Sequence, residues 1–253
     1  MRFYRVAQRR YAQFERLAEE AGLLHAYSTR PDDVSARTDD AASTRAQRRA
    51  TMAGDLGLDA TRLCHCVQVH QTRIGIVRAV DGPTPFDGYD GLITALRGVP
   101  LMTFSADCPL VLVFDPAARV VGMVHASWRC TVATATRNLV ETMQHEFNCR
   151  TGDMHAGVGP SAGPESYEVR DDVYQAAAPL GDRDTLFRHR DGRMTFDLWE
   201  ANRRQLLDVG VPGERIEIAG IDTMQAADTF YSFRREGAGC GHFGLMAGLR
   251  SST

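Results

Sequence analysis

The sequence predicts an α/β (α+β) fold, a layered sandwich with mixed sheets, and two observations carry that expectation. Short apolar runs rich in valine and bounded by turn residues recur through the middle of the chain, too short for helices and suited to buried strands. Around them lie segments whose apolar residues fall at helical spacing. The chain has 253 residues, 43% hydrophobic and 24% charged, enough to bury a substantial core. No repeat, low-complexity tract or long linker divides it, so residues 1–253 read as a single domain.

The elements follow in order. A short strand is expected near Phe3 to Val6, then a helix carrying Phe14, Leu17, Ala18 and Ala21 on one face and ended by Gly22, then a strand from Leu23 to Ser28. Residues 30 to 42 are polar and Asp-rich, as in a loop, and Ser43 or Thr44 caps a helix running to about Gly54. Cys64 to Val69 and Arg73 to Val77 are β-branched and extended in character, which places His70 at a strand end. Val99 to Phe104, Leu110 to Phe114 and Val120 to Val124 are the buried-strand candidates. The first leads into Ser105-Ala106-Asp107-Cys108-Pro109 and the third into His125-Ala126-Ser127-Trp128-Arg129.

A helix beginning just beyond Arg129 carries Val132, Ala135, Leu139, Met143 and Phe147, and its free N–H groups would suit an anion. A strand at Met154 to Val158, helices around Asp171 to Ala178 and Leu198 to Val209, and strands near Ile216 and Phe243 complete the pattern.

The net charge of −3 offers no general attraction for nucleic acid or an anionic membrane, so any bound anion must be held locally. No run of signal-peptide or membrane-spanning length is visible, which makes the cytoplasm the expected location. Six cysteines without small-scaffold spacing read as reduced thiols.

His70, Cys108 and His125 form a ligand set suited to zinc, because imidazole and thiolate both match a borderline-soft ion, and three protein ligands leave an open position. Each also has an ordinary alternative: a loop histidine, a small buried thiol, a satisfied core histidine. Arg129, Arg30 and Arg234 are the candidates for an anion pocket, since a planar guanidinium binds phosphate bidentately, with surface ion pairs as the alternative. Gln68 and Asp107 are secondary candidates, Asp107 more as a loop brace than an acid. Cys64 and Cys66 share a strand face with Gln68 and His70 while His65 points the other way, so core thiols are favoured over a second metal site.

The strings Gln68-Val69-His70, Asp90-Gly91-Leu92-Ile93-Thr94, Ala106-Asp107-Cys108-Pro109 and His125-Ala126-Ser127-Trp128-Arg129 occur in a fixed order. Gly159-Pro160 with Tyr167-Glu168-Val169, Phe196-Asp197-Leu198 with Asn202, and Tyr231-Ser232-Phe233-Arg234-Arg235 continue it. Over roughly residues 23 to 250 the chain resembles the laccase-domain family, formerly called multicopper polyphenol oxidases and now regarded as zinc-dependent purine nucleoside phosphorylases with adenosine deaminase activity. The resemblance implies one αββα-layered domain related in architecture to toxin cysteine hydrolases. It also implies one metal, zinc with copper as second choice, at His70, Cys108 and His125. The substrates implied are phosphate and adenosine, inosine, guanosine or S-methyl-5′-thioadenosine.

The chain departs from the family pattern at Ser127 and Cys130, where glycine is usual, at Asp32-Asp33 in place of Gly-Gly, and at Asp222-Thr223 in place of Cys-Thr. Loss of two glycines beside His125 would alter a backbone that needs positive φ or close substrate approach. Two further function classes compete: a cysteine-dependent amidase of peptidoglycan-editing type, with Cys108 activated by His125, and a degenerate binding protein without catalysis. Copper-catalysed polyphenol oxidation ranks last, because three ligands cannot assemble a multi-copper cluster.

Overall fold

A computed structural model describes residues 1–36 and 44–251, so the cap expected at Ser43 lies outside the described residues. The first half contains β1 (Arg2–Val6), β2 (Arg9–Gln13), β3 (Leu23–Ser28), α1 (Thr44–Asp55), β4 (Cys64–Val67), β5 (Ile74–Val77), β6 (Thr84–Asp87), β7 (Gly91–Thr94), β8 (Leu101–Ser105), β9 (Leu110–Asp115) and β10 (Val120–His125). The second half contains α2 (Trp128–Val132), α3 (Ala135–Phe147), β11 (His155–Val158), β12 (Glu168–Val169), α4 (Asp171–Ala176), β13 (Phe187–Arg190), β14 (Arg193–Phe196), α5 (Leu198–Asp208), β15 (Ile216–Ile218), α6 (Phe233–Glu236) and β16 (Phe243–Leu249).

Two mixed sheets form the centre. One has seven strands in the order β1-β2-β3-β16-β8-β4-β6, the other six in the order β15-β11-β9-β10-β7-β5. Their side chains alternate in the way a two-faced sheet requires. In the first sheet Leu101, Leu245, Cys64 and Cys66 face the second, where Leu110, Leu112 and Met123 meet them. On the outer faces, Met102, Phe104 and Met246 pack with Met52 and Ala53 of α1, and Val111, Val113 and Val124 pack with Leu139, Val140 and Met143 of α3. The layers are therefore helix, sheet, sheet, helix. The valine runs are continuous because both faces of β9 and β10 are covered.

Two expectations fail locally. No α-helix forms over Phe14 to Ala21: the β1–β2 hairpin ends at Gln13, and the segment after it makes only a single 3₁₀ turn at Leu17–Glu19. Phe14 and Leu17 are buried as expected, but between the sheets, with Phe14 edge-on to Tyr27. The helix expected after Arg129 is broken: α2 is five residues long, Thr134 sits in the left-handed region at φ 59°, and α3 starts afresh at Ala135. A third sheet, β12-β14-β13, was not anticipated.

One topological feature positions the site. Strands β4, β6 and β8 run parallel in the first sheet, and each chain segment leaving them enters the second sheet, as β5, β7 and β9. Three arches thus cross the same edge of the sandwich. The connections carry Gln68 and His70, Asp90, and Asp107 and Cys108, respectively. Among the described residues no helix is long and apolar enough to cross a membrane.

Candidate functional site

The arches and the end of β10 enclose a cavity of about 570 Å³, within the usual range for small-molecule sites. Gln68, His70, Asp107, Cys108, His125, Arg129 and Arg234 all line it. Of the residues singled out from sequence, only Arg30 lies elsewhere. Its guanidinium makes a two-pronged pair with Glu236 at 2.9 and 3.0 Å and lies 4.4 Å over the Tyr231 ring, so its expected anion role gives way to an ion pair.

The state of each side chain's hydrogen-bonding capacity separates candidates from supports. Both ends of the Gln68 amide are engaged by the backbone of Phe104, at 2.8 and 2.9 Å, which ties the end of β4 to β8. Asp107, at φ 105°, accepts the Thr223 hydroxyl at 2.6 Å and the Arg234 N–H at 2.7 Å, so both oxygens brace its loop. Among the described residues the Cys108 thiol and the His70 imidazole make no hydrogen bond, and the His70 ring stands edge-on to His125 with centroids 5.1 Å apart. His125 has one nitrogen engaged: Nδ1 lies 2.9 Å from Oδ1 of Asp90, leaving Nε2 as its free donor atom. Two imidazoles and a thiol on one cavity wall, with His125 engaged at Nδ1 alone, are ligand types that suit a borderline-soft metal ion.

Asp90 is the residue that sequence reasoning missed. It was legible only as the first letter of a string, and its partners lie on another arch. Its carboxylate is fully buried; Oδ1 also accepts the His70 N–H at 3.1 Å, and Oδ2 accepts those of Val69 and Gln71 at 3.1 and 2.8 Å. Burial pushes Asp90 up, but the His125 and backbone hydrogen bonds outweigh it and hold the carboxyl below its ordinary value. Among the described residues the group whose ligand atoms all lie within 4.8 Å of one another is Asp90, His125 and Cys130, buried together, which suggests metal binding; His70, Cys108 and His125 share the cavity but do not meet that distance as a set.

Burial, together with His125 and Arg129, holds His70 below the usual histidine range. Burial pushes the Cys108 thiol well up, with Cys130 and Asp107 adding to the effect, which favours the protonated thiol over the thiolate.

The two replaced glycines need no unusual backbone. Ser127 has φ −56° and caps α2 by accepting the Cys130 N–H, and its hydroxyl lies 3.0 Å from the Cys130 sulfur. That cap occupies an N–H group the sequence reading offered to an anion. Arg129 is itself exposed at the cavity, its guanidinium 4.3 Å over the Trp128 ring and without an acidic or carbonyl partner among the described residues. Arg234 lies over Tyr167 at 4.6 Å and donates to the Glu168 carbonyl at 2.7 Å, leaving other donors of its guanidinium for the cavity.

Comparison with known proteins finds named relatives and solved structures similar to this chain. A relative named purine nucleoside phosphorylase from Deinococcus radiodurans is 36% identical over 244 residues, 92% of this chain and 91% of its own. One of the same name from Bacteroides thetaiotaomicron is 38% identical over 165 residues, and the match spans 64% of this chain and 60% of that relative's length. A third, named adenosine deaminase RL5, from an unknown prokaryotic organism, is 32% identical over 207 residues, 76% of this chain and 77% of its own. The crystal structure of YlmD from Geobacillus stearothermophilus superposes with a TM-score of 0.87 at 27% identity, covering 98% of this chain and 99% of that one. The model of the family described as multi-copper polyphenol oxidoreductase laccase matches residues 25–250. With that match over nearly the whole sequence, the chain belongs to this laccase-like family.

Proposed function

We propose that the chain is a zinc-dependent purine nucleoside phosphorylase with adenosine deaminase activity, acting as one domain. The observation that carries the reading is that one cavity gathers His70 and Cys108, whose side chains make no hydrogen bond among the described residues, with His125, engaged only through Nδ1, beside an exposed guanidinium, Arg129. In phosphorolysis a phosphate oxygen bonds to C1′ of the ribose as the bond from C1′ to the purine nitrogen breaks and its electron pair leaves with the base. Arg129 and Arg234 hold and orient the phosphate, and the apolar and aromatic wall, including Phe104, Trp128 and Tyr167, excludes water. His70, Cys108 and His125 would hold the metal, which supplies Lewis-acid chemistry when bound. The names of the relatives support this reading.

The test is metal analysis of protein purified without chelator, paired with adenosine, inosine, guanosine and S-methyl-5′-thioadenosine, each with and without phosphate. About one zinc per chain and phosphate-dependent release of free base are expected. Base release independent of phosphate, or none with any nucleoside, overturns the reading.

One observation favours a second reading. The Asp90–His125 hydrogen bond would orient His125 as a base toward Cys108, the arrangement of a cysteine amidase. The elevated Cys108 thiol weighs against it, since such a nucleophile acts as the thiolate.

A further inference from the structure

We propose that Asp90 is a positioning residue that sets both cavity histidines through a single carboxylate oxygen. Oδ1 meets Nδ1 of His125 at 2.9 Å and the backbone N–H of His70 at 3.1 Å. Oδ2 takes the N–H groups on either side, those of Val69 and Gln71. Three successive N–H groups can converge on one carboxylate only where the chain turns sharply, and His70 stands at φ 61°, the left-handed region that a non-glycine residue seldom adopts. The Asp90 side chain is 0% exposed, so no water competes for these bonds.

Two consequences follow for the rings. An ionised carboxylate only accepts, so the proton shared with His125 belongs on Nδ1, and the lone pair of Nε2 is left on the opposite edge of the ring. The direction in which His70 leaves the backbone is fixed by the same oxygen. The Cys130 thiol lies 3.9 Å from Oδ1 and the Ser127 hydroxyl 3.0 Å from that sulfur, so the two residues that replace the family's usual glycines extend this network toward α2. Asp90 thereby acts on the site without facing the substrate.

The inference rests on the reading of His70 and His125 as metal ligands, and its test keeps the two apart. The tautomer of His125 is read from ¹⁵N shifts of the full chain freed of metal by chelation, near pH 7.5, with Asp90→Asn alongside. The wild-type ring is expected with its proton on Nδ1, and Asp90→Asn is expected to move population to the Nε2-protonated form. A merely structural carboxylate would leave that ratio unchanged in the variant, and an Nε2-protonated wild-type ring overturns the proposal even if the variant does not fold. Titration with Zn²⁺ is the second arm. A folded Asp90→Asn protein should bind Zn²⁺ about 10- to 100-fold more weakly, whereas equal affinity overturns the proposal. A wild-type chain that binds no Zn²⁺ defeats the metal reading, and the tautomer result then decides Asp90 by itself.

Discussion

The guanidinium of Arg129 rests 4.3 Å over the ring of its neighbour Trp128. This cation–π contact holds a charge at the cavity while leaving its hydrogen-bond donors unengaged. One charge-assisted hydrogen bond contributes about 1.5 to 3 kcal/mol. Arg129→Ala should therefore lower kcat/KM for phosphorolysis by roughly tenfold to a hundredfold. Deamination, which uses water in place of phosphate, should fall less. Equal losses in both reactions, with metal content and stability unchanged, would remove Arg129 from the phosphate site.

Arg30 should behave in the opposite way. Its pair with Glu236 ties the segment after β3 to α6, and neither Arg30 nor Glu236 lines the cavity. Arg30→Ala should cost about 1 kcal/mol of stability, since the pair is only partly screened from water. Its kcat/KM should stay within about twofold of wild type. A large rise in the phosphate KM with unchanged stability would restore Arg30 to the anion pocket.

Cys108 separates the two functional readings. As a protonated thiol it should react slowly with iodoacetamide in the metal-free protein, and hardly at all once loaded with zinc. Zinc uptake should release protons, because the ligand is the thiolate, and apparent affinity should rise with pH. Rapid alkylation of the loaded protein at Cys108 would favour the amidase.

His25 should make the protein acid-sensitive. Burial, with Arg2 adding, lowers its imidazole from the ordinary 6.5 to about 3, and its Nε2 must stay unprotonated to accept the Phe14 N–H at 3.1 Å. The unfolded chain takes up this proton below its ordinary pKa while the folded chain does not. Stability from this group is thus complete above pH 6.5 and is lost as pH falls toward 3. The slope from one such group is about 1.4 kcal/mol per pH unit. In His25→Gln, whose amide oxygen can take over the acceptor role, urea midpoints between pH 7 and 4 should fall less steeply. Identical slopes would show that another group controls acid unfolding.

Much of the sandwich was legible because strands covered on both faces read as unbroken valine and leucine, as in Leu110 to Phe114 and Val120 to Val124. The segment after the β1–β2 hairpin was not, because Phe14, Leu17, Ala18 and Ala21 fall at the spacing of one helix face, whereas only Phe14 and Leu17 reach the core, from a strand end and a 3₁₀ turn, and Ala21 is exposed. The break at Thr134 was hidden for the same reason: apolar spacing continues through it although the backbone does not. At the site, sequence singled out side chains with distinctive chemistry, His70, Cys108 and His125, and the fold places them on one cavity. It could not distinguish Arg129 from Arg30, because Glu236, the partner that occupies Arg30, is 206 residues away. Asp90 was opaque for a related reason: a carboxylate among many shows its role only when the β6–β7 and β4–β5 arches lie side by side.

Those arches make the site a seam. His70 and Cys108 belong to segments that leave one sheet for the other, and His125 ends a strand of the second sheet alone. An ion shared by all three would act as a rivet through both sheets, and unfolding would have to release it. A ligand at a hundred times its dissociation constant raises unfolding free energy by about 2.7 kcal/mol. Occupancy of this seam is therefore open to reading by heat alone, as a melting temperature that climbs with free zinc and falls back with a chelator, before any substrate is added.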